Sequence, residues 1–235
     1  MRRNANVRCD LRSPPKKERW SDYLDLAKFL KPKLEAEDGF IDNERFESKR
    51  TKGRLLSLST WRDEKAVVRW RTQGEHHGAQ TKGRFEIFED YHLSVGEITR
   101  DSDPPKGPEV EERRFDETVV GRAKVATIAE LTPSHGSDIA IHVDALPARL
   151  GLGADRDGIV DVEVFESIYH PGKLVVLGLW HDARAANTWT PTGLETAENV
   201  RCRHVRIIRD YGMSDRREAP QFFHEVPRAS RAAAE

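Results

Sequence analysis

The sequence predicts an α+β protein built from two tandem β-α-β-β-α-β repeats, and three observations predict it. Residues 39–70 are written twice, each copy arranges its strand and helix patterns in the same order, and a proline-rich acidic stretch separates the copies. Gly39, Asp42, Glu44, Phe46, Glu47, Ser48, Gly53, Leu55, Leu58, Trp61, Asp63, Ala66 and Trp70 return at a constant offset. Their counterparts are Gly158, Asp161, Glu163, Phe165, Glu166, Ser167, Gly172, Leu174, Leu177, Trp180, Asp182, Ala185 and Trp189. Two tryptophans returning in register with so many other residues mark a duplicated domain.

Ala5 to Leu11 reads as a short, weakly apolar strand. Ser21 is placed to cap a helix whose apolar positions Tyr23, Leu24, Ala27, Leu30 and Leu34 keep the helical period, with Asp22 and Asp25 near its positive end. Pro32 falls inside it at a cost of roughly 3 kcal/mol, which predicts a kink or an early stop. Gly39 opens a strand through Ser48, Thr51 to Gly53 form a turn, and Arg54 to Trp61 form the second arm of a hairpin. Asp63 caps the next helix, where Ala66, Val67, Trp70 and His77 fall close to one stripe. Tyr91 to Arg100 completes the repeat.

The composition then changes. Ser102 to Pro108 carries three prolines and a glycine and runs into Glu109, Glu111 and Glu112, which predicts a solvated linker. The second repeat restarts with Ala123 to Leu131 as a strand and a helix around Asp138 to Leu150 that Pro147 breaks. Strands Gly158 to Tyr169 and Lys173 to Trp180 follow, joined by the His170-Pro171-Gly172 turn, then a shortened helix after Asp182 and a strand from Val200 to Asp210. The first copy is longer between its second tryptophan and its last strand. The predicted organisation is a first repeat over 1–101, a linker over 102–121, a second repeat over 122–212 and a tail over 213–235. Part of that tail, around Phe222 and Phe223, is expected to pack. A β-α-β-β-α-β unit is a ferredoxin-like sheet with helices on one face, and its other face needs cover. Two tandem units cover each other, giving an intramolecular dimeric α+β barrel.

With 37% hydrophobic and 34% charged residues and no apolar run near the roughly 20 residues a spanning helix needs, no membrane role is predicted. A net charge of −1 without a Lys/Arg block predicts no nucleic-acid partner. The N-terminal basic residues lack a following apolar stretch, so no secretory signal is read there. Cys9 and Cys202 lie far apart without a metal-ligand spacing, which points to a reduced, cytoplasmic protein and to no metal site. Oligomeric state is left open, with a homodimer allowed.

The pattern Phe-Glu-Ser, a Gly turn, Leu-Leu-Ser-Leu-Ser-x-Trp-Arg-Asp-Glu, then Ala-Val-x-x-Trp and Glu-His-x-x-Ala-Gln, spanning Phe46 to Gln80, resembles the antibiotic biosynthesis monooxygenase family. The likeness is strongest over residues 20–101 and recurs more weakly over 123–212. It implies a range of activities: oxygenation of electron-rich aromatics without a cofactor, haem degradation, and members with no known reaction. Haem-degrading members are similar in carrying a histidine where this chain has Gln80, a departure that weighs against haem.

The two copies act as controls for each other in locating a site. Asn43 and Arg45 stand where the second copy has Val162 and Val164, and Ser57 and Ser59 where it has Val176 and Gly178. Each pair shares a strand face. Buried without partners, such groups cost roughly 1–3 kcal/mol each, so they are expected to bond to one another, to water or to a ligand. His77, seven residues beyond Trp70, keeps nearly the same helical direction, whereas His76 points about 100° away to the flank. His77 is therefore the expected base, taking a proton from an acidic phenol or enol so that the anion reacts with oxygen. Trp61 and Trp70 would wall the pocket, with Ser57, Ser59, His76 and Gln80 as further substrate-binding candidates and Phe46 a weaker wall because it alternates away from Arg45. Asn43 or Arg45 would hold an oxyanion.

Plainer readings stand beside these. The recurring tryptophans suit core packing, the histidine a solvent-facing helix position, and the polar quartet a contact between repeats. Asp42, Glu44 and Glu47 read as solvated strand positions. The expected function is a monooxygenase of a small electron-rich aromatic or enolisable compound, using oxygen and no cofactor. The alternatives are a haem-binding or haem-degrading protein and a non-catalytic small-molecule-binding module.

Overall fold

A computed structural model describes residues 7–13, 16, 18–104, 116–137, 139, 142–153 and 155–219. The first repeat runs β1 (Val7–Ser13), α1 (Trp20–Glu35), β2 (Phe40–Ser48), β3 (Leu55–Trp61), α2 (Glu64–Thr72), α3 (Gly74–Lys82), a π-helical turn (Gly83–Ile87) and β4 (His92–Asp101). The second runs β5 (Val125–Pro133), a 3-10 turn (Val143–Ala145), α4 (Leu146–Arg149), β6 (Ile159–Ser167), β7 (Leu174–Trp180), α5 (Ala183–Asn187) and β8 (Ala197–Gly212). Most of the linker, at 105–115, and the tail from 220, including Phe222 and Phe223, lie outside the described residues.

Each repeat has the ferredoxin-like strand order, and the two sheets close into one antiparallel barrel in the order β1-β3-β2-β6-β7-β5-β8-β4. The seams join equivalent strands. Along β2 and β6 the register pairs Phe46 with Ser167, Glu47 with Glu166, and Ser48 with Phe165, so Glu47 meets its own repeat partner while Phe46 and Ser48 each meet the other's. A pseudo-twofold axis therefore passes between Glu47 and Glu166. The inward faces of the strands fill the barrel with Phe46, Leu56, Leu58, Phe165, Leu177 and Val205. The helices cover the outward faces.

Charge closes one end of that apolar interior. Ser48 Oγ donates to Glu163 Oε1 at 2.5 Å, and the symmetry-related Ser167 Oγ donates to Glu44 Oε1 at 2.6 Å. Arg54 pairs with Glu163 at 2.7 Å, and its counterpart Lys173 pairs with Glu44 and, at 3.2 Å, with Glu130. Glu163 is only 3% exposed. Glu44 and Glu163 are thus half-buried and buried clamps between repeats, not solvated positions, because the seam draws them into the barrel mouth.

Several local expectations change. The residue flanking α1 is Arg19, with no side-chain cap, and Ser21 lies within the first turn. Pro32 does not stop α1: it sits near the C-terminus, the carbonyl it orphans belongs to exposed Lys28, and Leu30 and Leu34 on either side are buried. Asp63 does cap α2, accepting the Ala66 N–H at 2.8 Å, but that helix ends at Gln73, whose backbone is extended (φ −61°, ψ 132°). Gln73 then caps α3, accepting the His76 N–H at 2.9 Å. In the second repeat α4, at Leu146–Arg149, carries Pro147 in its first turn, where a proline is tolerated, so the proline starts this helix and does not break it.

Candidate active site

A cavity of about 180 Å³ lies between the outward face of the first sheet and its helices. From β2 come Asn43 and Arg45, and from β3 Ser57, Ser59 and Trp61. The opposite wall is Tyr23, Leu30 and Leu34 of α1, Val67, Trp70 and Arg71 of α2, and His76, Ala79 and Gln80 of α3. Arg84 of the π-helical turn, Phe88, Tyr91 and Leu93 close it. The residues that make the first copy longer supply much of this wall.

The polar groups are organised. Asn43 Nδ2 donates to Ser57 Oγ at 3.1 Å and to the Leu58 carbonyl at 2.9 Å. Trp61 Nε1 donates to Ser59 Oγ at 2.9 Å. Arg45 Nε donates to the Tyr23 hydroxyl at 3.0 Å, and Tyr169 also interacts with the guanidinium. Burial works against that charge, yet the two phenols outweigh it and hold the Arg45 pKa above its ordinary value.

The histidine of the cavity is His76, not His77. His77 is exposed on α3 and does not line the cavity, while His76 is half-buried and stacks on Trp70, with ring centroids 4.3 Å apart. The helical phase carried from Trp70 to His77 assumes one unbroken helix, and the break at Gln73 resets it. His76 Nδ1 lies 2.9 Å from the Trp70 carbonyl oxygen. Gln80 Nε2 also lies 3.1 Å from Nδ1; the shorter contact, to a carbonyl that only accepts, requires the Nδ1–H tautomer, which leaves the lone pair on Nε2. Burial drives the His76 pKa down to about 4, with Arg71 and His77 adding to the effect against the Trp70 hydrogen bond. The ring is therefore neutral at physiological pH. Gln80 Nε2 donates to the Arg71 carbonyl at 3.3 Å.

Phe46 is the other displaced candidate. It is fully buried in the barrel interior on the far side of the sheet, as the alternation from Arg45 requires, and lines no part of the cavity. Asn43, Arg45, Ser57, Ser59, Trp61, Trp70, His76 and Gln80 do come together. Tyr23, Tyr169, Arg71 and Arg84 were not singled out from the sequence.

In the second repeat the same space is filled. Val164, Val176, Trp180 and Trp189 belong to one apolar cluster with Leu146, Leu150 and Leu152, and both tryptophans are fully buried. Trp180 Nε1 turns to Thr127 Oγ1 at 2.9 Å, and Trp189 Nε1 to the Leu150 carbonyl at 2.8 Å. A Cβ on Gly178, the counterpart of Ser59, would meet Thr127 Oγ1 at 2.7 Å. Among the described residues no group of three or more His, Cys, Asp or Glu side chains is arranged to hold a metal, and no helix is long and apolar enough to cross a membrane.

Comparisons with known proteins agree with this architecture. The family described as antibiotic biosynthesis monooxygenase matches residues 7–82. A protein of Pyricularia oryzae named jasmonate monooxygenase ABM is 38% identical over 214 residues, covering 89% of this chain and 94% of that protein. An aldoxime dehydratase solved in complex with butyraldoxime superposes with a TM-score of 0.55 at 13% identity, covering 90% of this chain and 81% of its own. A second aldoxime dehydratase gives 0.53 at 12% identity, covering 86% and 81%. Those two share the fold alone. The identity to the Pyricularia protein extends over nearly the whole of both sequences, and on that ground the chain belongs to the antibiotic biosynthesis monooxygenase family.

Proposed function

We propose that the chain is a cofactor-independent monooxygenase whose single site is the first-repeat cavity, acting on a small, largely apolar compound with an acidic C–H or O–H. The observation that carries the reading is His76: a neutral ring in the cavity wall, its Nδ1–H fixed on the Trp70 carbonyl and Nε2 left with the lone pair. His76 Nε2 takes the proton. Its lowered pKa keeps the lone pair available but makes it a weak base, which suits a substrate already acidic. Arg45 supplies the cation that faces the anion, both Asn43 amide hydrogens being engaged by Ser57 and Leu58, and Trp61 and Trp70 keep the carbanion or phenolate away from bulk water.

The stoichiometry closes without a further reductant. An activated methylene loses a proton to His76, the carbanion adds dioxygen to give a peroxide that is reprotonated, and loss of water leaves a ketone. One oxygen atom enters the product and the other leaves as water. Haem has no part in this reading, since Gln80 occupies the position at which haem-degrading relatives carry histidine.

The test is oxygen uptake by protein purified with chelator, offered enolisable ketones, acidic phenols and, because of the Pyricularia relative's name, jasmonate. Uptake with at least one compound, insensitive to chelator, is expected. Binding without uptake would make the cavity a binding module, and a Soret shift on adding haemin would return the haem reading.

A further inference from the structure

Arg45 brings a positive charge to the cavity wall, and among the described residues that line the cavity there is no aspartate or glutamate. Elsewhere in the chain half-buried arginines meet acids: Arg54 meets Glu163 at 2.7 Å, Arg201 meets Asp101 at 2.7 Å and Arg209 meets Glu64 at 2.6 Å. Arg45 is different. Its hydrogen bond goes to the neutral phenol of Tyr23, Tyr169 interacts with it as well, and among the described residues it has no carboxylate partner. Taking a cation out of water without a counter-charge is costly, and an anion entering the cavity would offset that cost.

One of the two phenols comes from the other repeat. The end of β6 runs beside β2, with the Ile168 N–H donating to the Arg45 carbonyl at 3.0 Å. Ser167 Oγ, anchored on Glu44, accepts the Tyr169 and His170 N–H groups at 3.3 and 3.0 Å and so shapes the turn that carries Tyr169 across the seam. The pseudo-symmetric residue, Arg50, crosses the other way and donates to the Val162 carbonyl at 3.0 Å, over the filled core of the second repeat. The Tyr169 crossing leads to Arg45, which lines the first-repeat cavity, whereas the Arg50 crossing leads to the β6 backbone. With phenols engaging part of the guanidinium, its orientation is restricted and its remaining N–H groups suit the two oxygens of a carboxylate.

We propose that the cavity takes a small organic carboxylate, its carboxylate seated on Arg45 and its apolar body against Leu30, Val67 and Trp70, and that Tyr169 of the second repeat is a positioning residue that aims Arg45. This rests on the cavity being the substrate site and adds the charge class of the substrate. It also gives the filled repeat a function: it completes the site of the other.

Calorimetric binding to the full chain in oxygen-free buffer tests it, using phenylacetate, 4-phenylbutyrate and 2-naphthylacetate, each beside its primary amide. At least one acid is expected to bind about tenfold or more tightly than its amide, the scale of a charge-assisted hydrogen bond. Arg45→Met should bring the acid-to-amide ratio close to one while amide binding persists. Tyr169→Phe should lower the ratio severalfold with amide affinity and Tm unchanged, a pattern that loss of folding would not produce. Acids that bind no better than amides, or not at all, overturn the proposal, as does a ratio that survives Arg45→Met. Because no turnover is involved, carboxylate preference without oxygen uptake would sink the oxygenase reading alone, and oxygen uptake confined to neutral compounds would sink this one alone.

Discussion

The imidazole of His76 lies nearly parallel to the indole of Trp70, 17° between planes, and its Nδ1 meets the carbonyl oxygen of that same tryptophan at 2.9 Å. One residue therefore sets both the plane and the tautomer of the other. Trp70 recurs as Trp189 in the second repeat, but there the indole is fully buried and hydrogen-bonds Leu150 instead. The scaffold is shared, and the histidine that turns it into a candidate site is not.

Replacing His76 by alanine is expected to lower kcat by about 10²- to 10⁴-fold, the usual contribution of a positioned base. His77→Ala should leave kcat within about twofold, because that side chain is exposed. Steady-state oxygen uptake with the same substrate measures both. The reverse ranking would assign the base to His77.

The pH dependence follows from the direction of the His76 shift. Its folded pKa, about 4, lies below the ordinary 6.5, so between those values the unfolded chain binds a proton that the folded one refuses. Stability is thus fully present above pH 6.5 and lost as pH falls toward 4. His204, buried against Trp189 and likewise pushed down to about 4 by burial, contributes in the same window. Urea midpoints at pH 7 and pH 5 should differ less in His76→Gln than in the parent. The acid limb of kcat/KM should lie well below pH 6.5.

Exchange between the copies separates site from scaffold. Val164→Arg places an unpaired guanidinium in a packed core, where Val164 is 6% exposed, and should cost about 3–5 kcal/mol. Arg45→Val, at the matching position, should change stability by about 1 kcal/mol or less, since it removes a charge from a cavity wall. Denaturant unfolding measures each. Equal costs would mean that Arg45 is a structural contact between repeats.

The seam predicts a third asymmetry. Glu163→Gln weakens the charged hydrogen bonds from Ser48 and Arg54 at a buried position and should cost about 1.5–3 kcal/mol. Glu75→Gln, on the exposed Lys33 pair, should cost under about 1 kcal/mol. Thermal unfolding of the two variants distinguishes a clamp from a surface ion pair.

Much of this was legible in the residues because the chain carries its own comparison. Asn43, Arg45, Ser57 and Ser59 stood out against Val162, Val164, Val176 and Gly178, and all four line the cavity. Strand alternation also placed Phe46 on the far face. The histidine was misplaced because helical phase is a running sum, and one extended residue, Gln73, resets it; Gln73-Gly74 was the visible signal for a break. Tyr169 and the Glu44 and Glu163 clamps depend on pairing across the seam. Local periodicity carries no information about which strands close a barrel, so those partners emerged only from the register of β2 with β6.

The central claim is that oxygen chemistry occurs in the first-repeat cavity and nowhere else in the chain. The most direct measurement is mass spectrometry of product formed under ¹⁸O₂, using the best substrate from the oxygen-uptake screen. The parent is compared with Ala79→Phe, which fills the cavity from a wall residue, and with Ala129→Val in the packed second repeat. The account predicts one ¹⁸O atom per product from the parent and from folded Ala129→Val, and loss of labelled product in folded Ala79→Phe. Undiminished labelling in Ala79→Phe would contradict it.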